Sequence, residues 1–366
     1  MSLVLHVDAP RWRAHLDATV VAYEGALVPV VKGGGYGLGE DLLLAEAGRL
    51  RGRGVGQVAV GTYDEAGRAL GRGGPLADLL VLEPYRAALA DGYPVLDSSA
   101  LVHTVSDGAD LADLLGRVSA PRILLEGLTS LNRHGMPAAQ VGALAAAAGS
   151  ATVEGLALHL PLGTGNEAEV QSWLTAVPSI ARVYVSHVTP DQLHRLRAAN
   201  PGRDLRARVG TALWLGAEGA LDVRAHVLDV RAVQAGDRAG YWRRRLHGGH
   251  LLVVSGGTAH GVALAAPAAA GRLRQRATVL AEAVLESAGR VRSPFLVGGR
   301  HAWFVEPPHM QVSLIELPPG TTPPRVGDPV PVRVRTTTLH ADAVVLDGDD
   351  PDAGDDDPAQ SFSTGA

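Results

Sequence analysis

Eight short apolar runs, rich in β-branched residues, recur through the first 210 residues, and no other feature constrains the fold as tightly. They occupy residues 26–32, 57–62, 79–84, 101–106, 122–127, 153–160, 182–188 and 204–210. Stretches rich in alanine, leucine and arginine separate them, as at 41–50, 138–148 and 168–177, and these read as helices. Regular alternation of buried strand and helix marks parallel β/α units. Eight such units predict a closed (β/α)8 barrel of the TIM type.

After about residue 220 the texture changes. Residues 223–233, 251–255, 262–265, 294–306, 310–317 and 330–337 alternate like antiparallel strands, with Gly and Pro between them. The expected division is a barrel over 1–220, a smaller, mostly β domain over 221–346, and a tail over 347–366. The tail is dense in aspartate and has almost nothing apolar to bury, which predicts disorder.

In barrels of this kind, functional groups gather where the strands end. Lys32 ends the first run, Glu126 the fifth, His159 the sixth, His187 the seventh and Arg208 the eighth. One polar tip is readily explained by packing. Five together read as one site. Lys32 is the sharpest of them, because it closes Leu27-Val28-Pro29-Val30-Val31 and opens into Gly33-Gly34-Gly35-Tyr36-Gly37-Leu38-Gly39. Burial at a strand end disfavours the ammonium and frees the amine as a nucleophile or base. The glycines allow positive φ and close approach of backbone to a ligand. The run has neither the order of a phosphate-binding P-loop nor a dinucleotide G-x-G-x-x-G.

Composition narrows the class. Apolar residues make up 46% and charged residues 19%, as in globular chains, and a net charge of −5 gives no footprint for nucleic acid. Arg243-Arg244-Arg245 is the only tight basic cluster. There are no cysteines, so disulfides, thiolate metal sites and a cysteine nucleophile are excluded. No metal site is expected: the fourteen histidines contain no H-E-x-x-H, and His247 and His250 beside glycines read as turn residues. No stretch reaches the ~18 apolar residues of a membrane span, and the first residues lack a signal peptide's pattern, so a cytoplasmic protein is expected.

A barrel whose first strand ends in a lysine followed by x-x-x-Y-G-x-G, with a β domain behind it, resembles the alanine racemase family, fold-type III enzymes that use pyridoxal 5′-phosphate. The resemblance runs to about residue 335. It implies that Lys32 is the Schiff-base lysine and Tyr36 a phosphate-binding tyrosine. Thr129-Ser130-Leu131-Asn132-Arg133-His134-Gly135 resembles the family's T-G-M-N-R-L-G, which makes Arg133 the partner of the substrate carboxylate. Arg208-Val209-Gly210-Thr211-Ala212-Leu213-Trp214 resembles R-x-G-I-x-x-Y. Arg208 would face the pyridine nitrogen and Gly210 would offer its amide to the phosphate. His159 matches the histidine packed on the cofactor ring, and His187 lies near another family histidine.

In the second domain, Ala235-Gly236-Asp237-Arg238-Ala239-Gly240-Tyr241 resembles P-G-E-x-V-S-Y-G, which makes Tyr241 the second catalytic base. Met310-Gln311-Val312-Ser313 resembles M-D-Q-T, whose methionine amide lines the substrate pocket. The family's second domain completes the other subunit's site, so a head-to-tail homodimer is implied. Lys32 and Tyr241 would then act on opposite faces of an amino acid. A phenol with pKa ~10 needs help as a base, and His159 and Arg208 are placed to give it.

The departures are informative. Gly33-Gly34-Gly35 replaces A-N-A, and Glu126 stands where the family often carries a carbamylated lysine. A carboxylate there is expected to hold Arg133 directly. Gly257-Thr258-Ala259-His260-Gly261 replaces G-Y-A-D-G, and Gln311 replaces the aspartate of the M-D pair. Thr189 alone remains of the phosphate ligands after the seventh strand. The leading expectation is a racemase of alanine or another small amino acid. A decarboxylase or epimerase on the same scaffold, and a non-catalytic cofactor-binding homologue, are the alternatives. Retention of Arg133 and of both bases weighs against them.

Overall fold

The computed structural model describes residues 3–72, 78–264 and 291–349. The chain begins with strand β1 (Val4–Asp8), which runs directly into helix α1 (Ala9–Ala22). Asp8 caps α1 by accepting the Arg11 amide, and Trp12, Leu16 and Val20, four residues apart, form its buried stripe. The barrel follows as β2 (Leu27–Val31), α2 (Glu40–Arg49), β3 (Gln57–Val60), α3 (Tyr63–Gly71), β4 (Asp78–Pro84), β5 (Leu101–Val105) and α4 (Gly108–Arg117). It continues through β6 (Arg122–Gly127), α5 (Ala138–Ala146), β7 (Thr152–Leu158), α6 (Asn166–Ala176), β8 (Arg182–Ser186), α7 (Pro190–Ala199), β9 (Asp204–Val209) and the short α8 (Thr211–Trp214).

Strands β2 to β9 close into a barrel of eight parallel strands, β9 pairing back onto β2. The sequence expectation is met. Only a 3-10 turn, Ala87–Gly92, joins β4 to β5. Strands such as β2 and β5 are buried at every position, because one face fills the barrel and the other meets helices. Val28, Val30, Ala59, Leu80, Val102, Leu124, Ala157 and Tyr184 fill the interior. Where the strands begin, charges alternate around the rim. Arg122 pairs with Asp78 (2.6 Å) and Glu154 (2.7 Å), and Arg182 with Glu154 (3.3 Å) and Asp204 (2.7 Å). This end is closed by ion pairs, which leaves the opposite end for chemistry.

The second unit is a mostly β sheet built from β10 (Leu221–Ala239), β11 (Arg244–Ser255), β12 (Val291–Val297), β13 (Arg300–Phe304), β14 (Val312–Leu317), β15 (Pro329–Pro331) and β16 (Ala343–Asp347). Its order is β12-β13-β14-β11-β10-β1-β16, with β15 on β10. The first strand of the chain thus sits in the second unit, antiparallel to β10 and parallel to β16. Sequence reading does not single out β1, because its partners lie more than 200 residues away.

Three expected strands come out differently. Residues 262–264 form a turn after the 3-10 helix Thr258–His260, and residue 265 lies outside the described residues. The run 294–306 is a hairpin, turned at Gly298 and Gly299, which both take positive φ as a two-residue hairpin requires. Most of 330–337 is not strand, since prolines end β15 and a 3-10 turn follows at Thr336–Thr338. The expected tail begins inside β16, and its residues 350–366 lie outside the described residues.

Two hydrogen bonds brace the barrel near its mouth. Trp12 donates to the Trp214 carbonyl (2.8 Å), and Trp214 donates to the Val30 carbonyl (2.8 Å), tying α1 and α8 to the end of β2. A Cβ on Gly37, at φ +86°, would lie 2.4 Å from the Thr336 carbonyl oxygen, so the glycine-rich loop fits directly under the second unit.

Behind β3 to β5, Tyr63, Tyr85, Tyr93 and His103 form a stacked cluster, with His103 Nδ1 3.0 Å from the Tyr63 hydroxyl. His103 is 1% exposed, and burial pushes its pKa down to about 4. The unfolded chain, with an ordinary histidine, takes up the proton first as pH falls. Stability from neutral His103 is therefore complete above about pH 6.5 and is lost as pH falls towards 4. We expect an unfolding free energy about 2–3 kcal/mol lower at pH 4.5 than at pH 7 from this group. Denaturant titrations at the two pH values check it, and His103→Asn should flatten the slope.

Candidate functional site

Lys32 is the first residue past β2. The next five residues, Gly33, Gly34, Gly35, Tyr36 and Gly37, all have positive φ, between 57° and 86°. Glu65 holds this loop in place: its carboxylate accepts the amides of Gly33 (2.6 Å), Gly61 (2.6 Å) and Thr62 (3.2 Å). The Thr62–Glu65 capping box that starts α3 therefore also fixes the backbone beside Lys32. That T-x-x-E signature was legible in the sequence, and Glu65 is a site residue that the resemblance does not supply. Burial pushes the Lys32 pKa down, Arg133 and Arg208 lower it further, and Glu65 opposes them. The sequence holds a further signal. Of its 33 lysines and arginines, Lys32 is the one lysine. A chain that uses arginine everywhere else keeps one amine, at the position where losing a proton is useful.

Two adjoining cavities open at this end of the barrel, of about 480 Å³ and 320 Å³. Both are lined by Lys32, Leu82, His159 and Arg208. The larger runs past Tyr36, His187 and Gly210 to Thr211 and Ala212. Tyr36 is buried, and desolvation with the charge of Glu65 raises its pKa, which keeps it a phenol that donates. A Cβ on Gly210 would lie 2.1 Å from the Tyr36 oxygen, so only glycine lets that hydroxyl reach the backbone here.

His159 is pushed down to about 3 by burial first and then by Arg208, Arg133, His187 and Lys32, so the ring is neutral at ordinary pH. Ser186 Oγ lies 3.0 Å from its Nδ1, and the Thr129 hydroxyl donates to its carbonyl. His187 lies 5.4 Å from it, ring to ring, and donates from Nδ1 to the Leu160 carbonyl (2.6 Å). Its φ of +53° is held by buried Asn166, which donates to the His187 carbonyl (2.8 Å). Tyr23, absent from the sequence reading, also lines this cavity and donates to the Val188 carbonyl (2.9 Å).

Arg208 is 7% exposed, and burial pushes its pKa down to about 10 against the opposing charge of Glu126. One terminal nitrogen donates to the Leu158 carbonyl (3.0 Å), while buried Nε has no partner among the described residues. A guanidinium N–H held dry and unpaired is costly unless a ligand atom accepts it. The cavity thus offers an unpaired N–H, hydroxyl and backbone donors around Tyr36 and Gly210, and an amine with a lowered pKa. That donor set fits a flat ring bearing an acceptor nitrogen, an anionic group and a carbonyl carbon.

The smaller cavity brings Glu126, Arg133 and His134 to Lys32. Arg133 lies on the loop between β6 and α5, which Glu169 anchors by accepting the Ser130 amide (2.6 Å) and hydroxyl (2.5 Å). The expected grip of Glu126 on Arg133 is absent. Glu126 is 3% exposed and its Oε2 has no partner among the described residues, while Arg133 is exposed and reaches into the cavity. A side chain buried in the barrel wall and one on an exposed loop need not meet. Burial raises the Glu126 pKa in spite of Arg208 and Arg133.

Four expected residues line neither cavity. Thr189 caps α7, its hydroxyl accepting the Gln192 amide (3.3 Å), and it stands outside both cavities. Tyr241 stands in the turn between β10 and β11, 83% exposed, with its ring 4.5 Å from that of His309. Glu306, nearly buried, accepts the amides of Tyr241 (3.0 Å) and Trp242 (3.2 Å) and pairs with His309 (2.7 Å). Met310 is 72% exposed, and Gln311 accepts the Gly256 amide (2.9 Å) through its carbonyl. Tyr241, Met310 and Gln311 thus share one exposed face of the β unit.

The sequence profile of the family described as "Alanine racemase, N-terminal domain" matches residues 7–203, more than half of the chain. The chain belongs to the alanine racemase family. No curated protein matches it in sequence. Among solved structures it is similar to alanine racemase from Bartonella henselae with covalently bound pyridoxal phosphate, at 16% identity and TM-score 0.66, over 91% of this chain and 90% of that one. It is also similar to alanine racemase from Oenococcus oeni, at 17% identity and TM-score 0.64, over 90% and 88% of the two chains. A third is alanine racemase from D-cycloserine-producing Streptomyces lavendulae, at 18% identity and TM-score 0.63, over 94% and 97%. At these identities the structures establish the alanine racemase fold, a barrel with a separate β unit, over nearly the whole chain.

Proposed function

We propose that this chain is a pyridoxal 5′-phosphate-dependent amino-acid racemase that works as a head-to-tail homodimer. The observation that carries the reading is the buried, unpaired Nε of Arg208 beside the one lysine of the chain, at the mouth of the barrel. Lys32 would carry the cofactor, Tyr36 and the Gly210 amide would hold its phosphate, and Arg208 would donate to its ring nitrogen. The cofactor, once bound, withdraws electrons from the substrate Cα and makes its proton removable.

The residues of this chain do the rest. Neutral His159 supplies a flat wall that carries no competing charge. Arg133 holds the α-carboxylate, which orients Cα and retains the group a decarboxylase would release. The lowered pKa of Lys32 lets its Nζ take a proton from one face of Cα. Exposed Tyr241 of the partner subunit would take or give the proton on the other face, and its anchoring by Glu306 fixes the turn that presents it. Thr189 is not needed in this scheme.

Borohydride reduction of protein incubated with pyridoxal phosphate tests the attachment, because a lasting pyridoxyl mass can form on only one side chain of lysine type. Deuterium exchange at Cα of L- and D-amino acids tests turnover. Label on Lys32 without exchange of any amino acid would refute the reading. Gly210→Ala is expected to weaken cofactor binding roughly tenfold to a hundredfold, by forcing the Tyr36 hydroxyl aside. Absorbance titration with pyridoxal phosphate measures it.

A further inference from the structure

The smaller cavity carries a charge pattern that chemistry at Cα leaves unused. From Lys32 it continues past Leu82 and Pro84 to Glu83 and Glu126. Glu126 is 3% exposed, and among the described residues no donor reaches its carboxylate; Oε2 is sealed from solvent and unpartnered. Glu83 is half-buried and likewise has no ion-pair partner among the described residues. A buried carboxylate with nothing to accept from is an unfavourable arrangement that a ligand donor would relieve.

The nearby cations do not fill that role. Arg208 turns its free Nε to the cofactor in the proposed function, Arg133 takes the α-carboxylate, and Lys32 gives up its charge. His134 is held below the usual imidazole range by burial and by Arg133 and Arg86, so it stays neutral. Arg86, the other cation whose charge reaches Glu126, is paired with Asp110 (2.8 Å), so two carboxylates are left in the cavity without an ion-pair partner among the described residues, and Leu82 and Pro84 beside them offer an apolar wall for a methylene stem.

We infer that the site takes an amino acid whose side chain ends in a cation, an ammonium or guanidinium on several methylenes, with Glu126 as its main acceptor and Glu83 as the second. This rests on the proposed function and names its substrate class. A methyl side chain would leave the cavity wet and Glu126 unsatisfied.

The test compares kcat/KM for Cα deuterium exchange by the holoenzyme with lysine, ornithine and arginine against norleucine, which keeps lysine's carbon chain and lacks its terminal ammonium. The expected result is a preference for a cationic substrate over norleucine of roughly tenfold to a hundredfold. Glu126→Gln should reduce that ratio by about tenfold, and Glu83→Gln by less. Each ratio is taken within one protein, so a general loss of activity cancels. Equal rates for norleucine and all three cationic substrates would overturn the inference and leave the racemase reading standing. A Glu126→Gln enzyme that is slower on every substrate with its ratio intact would also overturn it, because Glu126 would then act through Arg133 or Arg208. Absence of exchange with any amino acid, despite cofactor on Lys32, takes both readings down.

Discussion

Lys32→Arg is expected to abolish lasting attachment of pyridoxal phosphate and to lower exchange at Cα by roughly 10⁴-fold or more, with the fold intact. Arginine keeps the charge and much of the length but cannot give up its proton or form the covalent link. The position tolerates a cation sterically, since Lys32 is open to the cavity and only its backbone neighbour Gly33 is held by Glu65. Unfolding curves matching those of the wild type would show that the loss is chemical. Full turnover by this variant would remove the basis of the proposed function. With no other lysine in the chain, no second side-chain amine can substitute.

Tyr241→Phe is expected to lower interconversion of enantiomers by about 10³-fold, while exchange from the face served by Lys32 falls far less. Among the described residues the exposed phenol makes no hydrogen bond within its own chain, so removing the hydroxyl costs little stability. The shared-site arrangement makes a sharper prediction. Lys32→Arg and Tyr241→Phe proteins are each expected to be nearly inactive in interconverting enantiomers. Unfolded together and refolded in equal amounts, they should recover about a quarter of the wild-type sites, since half of the dimers are mixed and each mixed dimer rebuilds one site. No recovery would place Tyr241 outside the partner's site. Chiral chromatography and solvent exchange measure the two activities separately.

The barrel was legible because its cause is local. Each of the eight runs is apolar over its length, so strand–helix alternation survives in the sequence, and the closed barrel follows from counting. Lys32, His159, His187 and Arg208 were likewise legible, since a strand end is a position in the sequence and the barrel gathers strand ends at one mouth. Strand β1 and the hairpin of β12 and β13 were not, because their identity depends on partners far along the chain or on a two-glycine turn inside one apolar run.

The sequence by itself determined that this chain forms a β/α barrel with a β unit behind it, and that one deprotonatable amine ends the first barrel strand. Periodicity and residue type encode those facts, and neither needs to know what lies across the cavity. Only the tertiary structure decided which polar atoms are left without partners. It separated Glu126 from Arg133, placed Thr189 at a helix cap outside both cavities, left Arg208 Nε dry and without a partner among the described residues, and set Tyr241 on an exposed turn. Hydrogen-bond satisfaction is a property of distances between segments remote in sequence. A carboxylate and a guanidinium can be adjacent in a motif and still face different neighbours once one is buried in a barrel wall and the other rides on a loop.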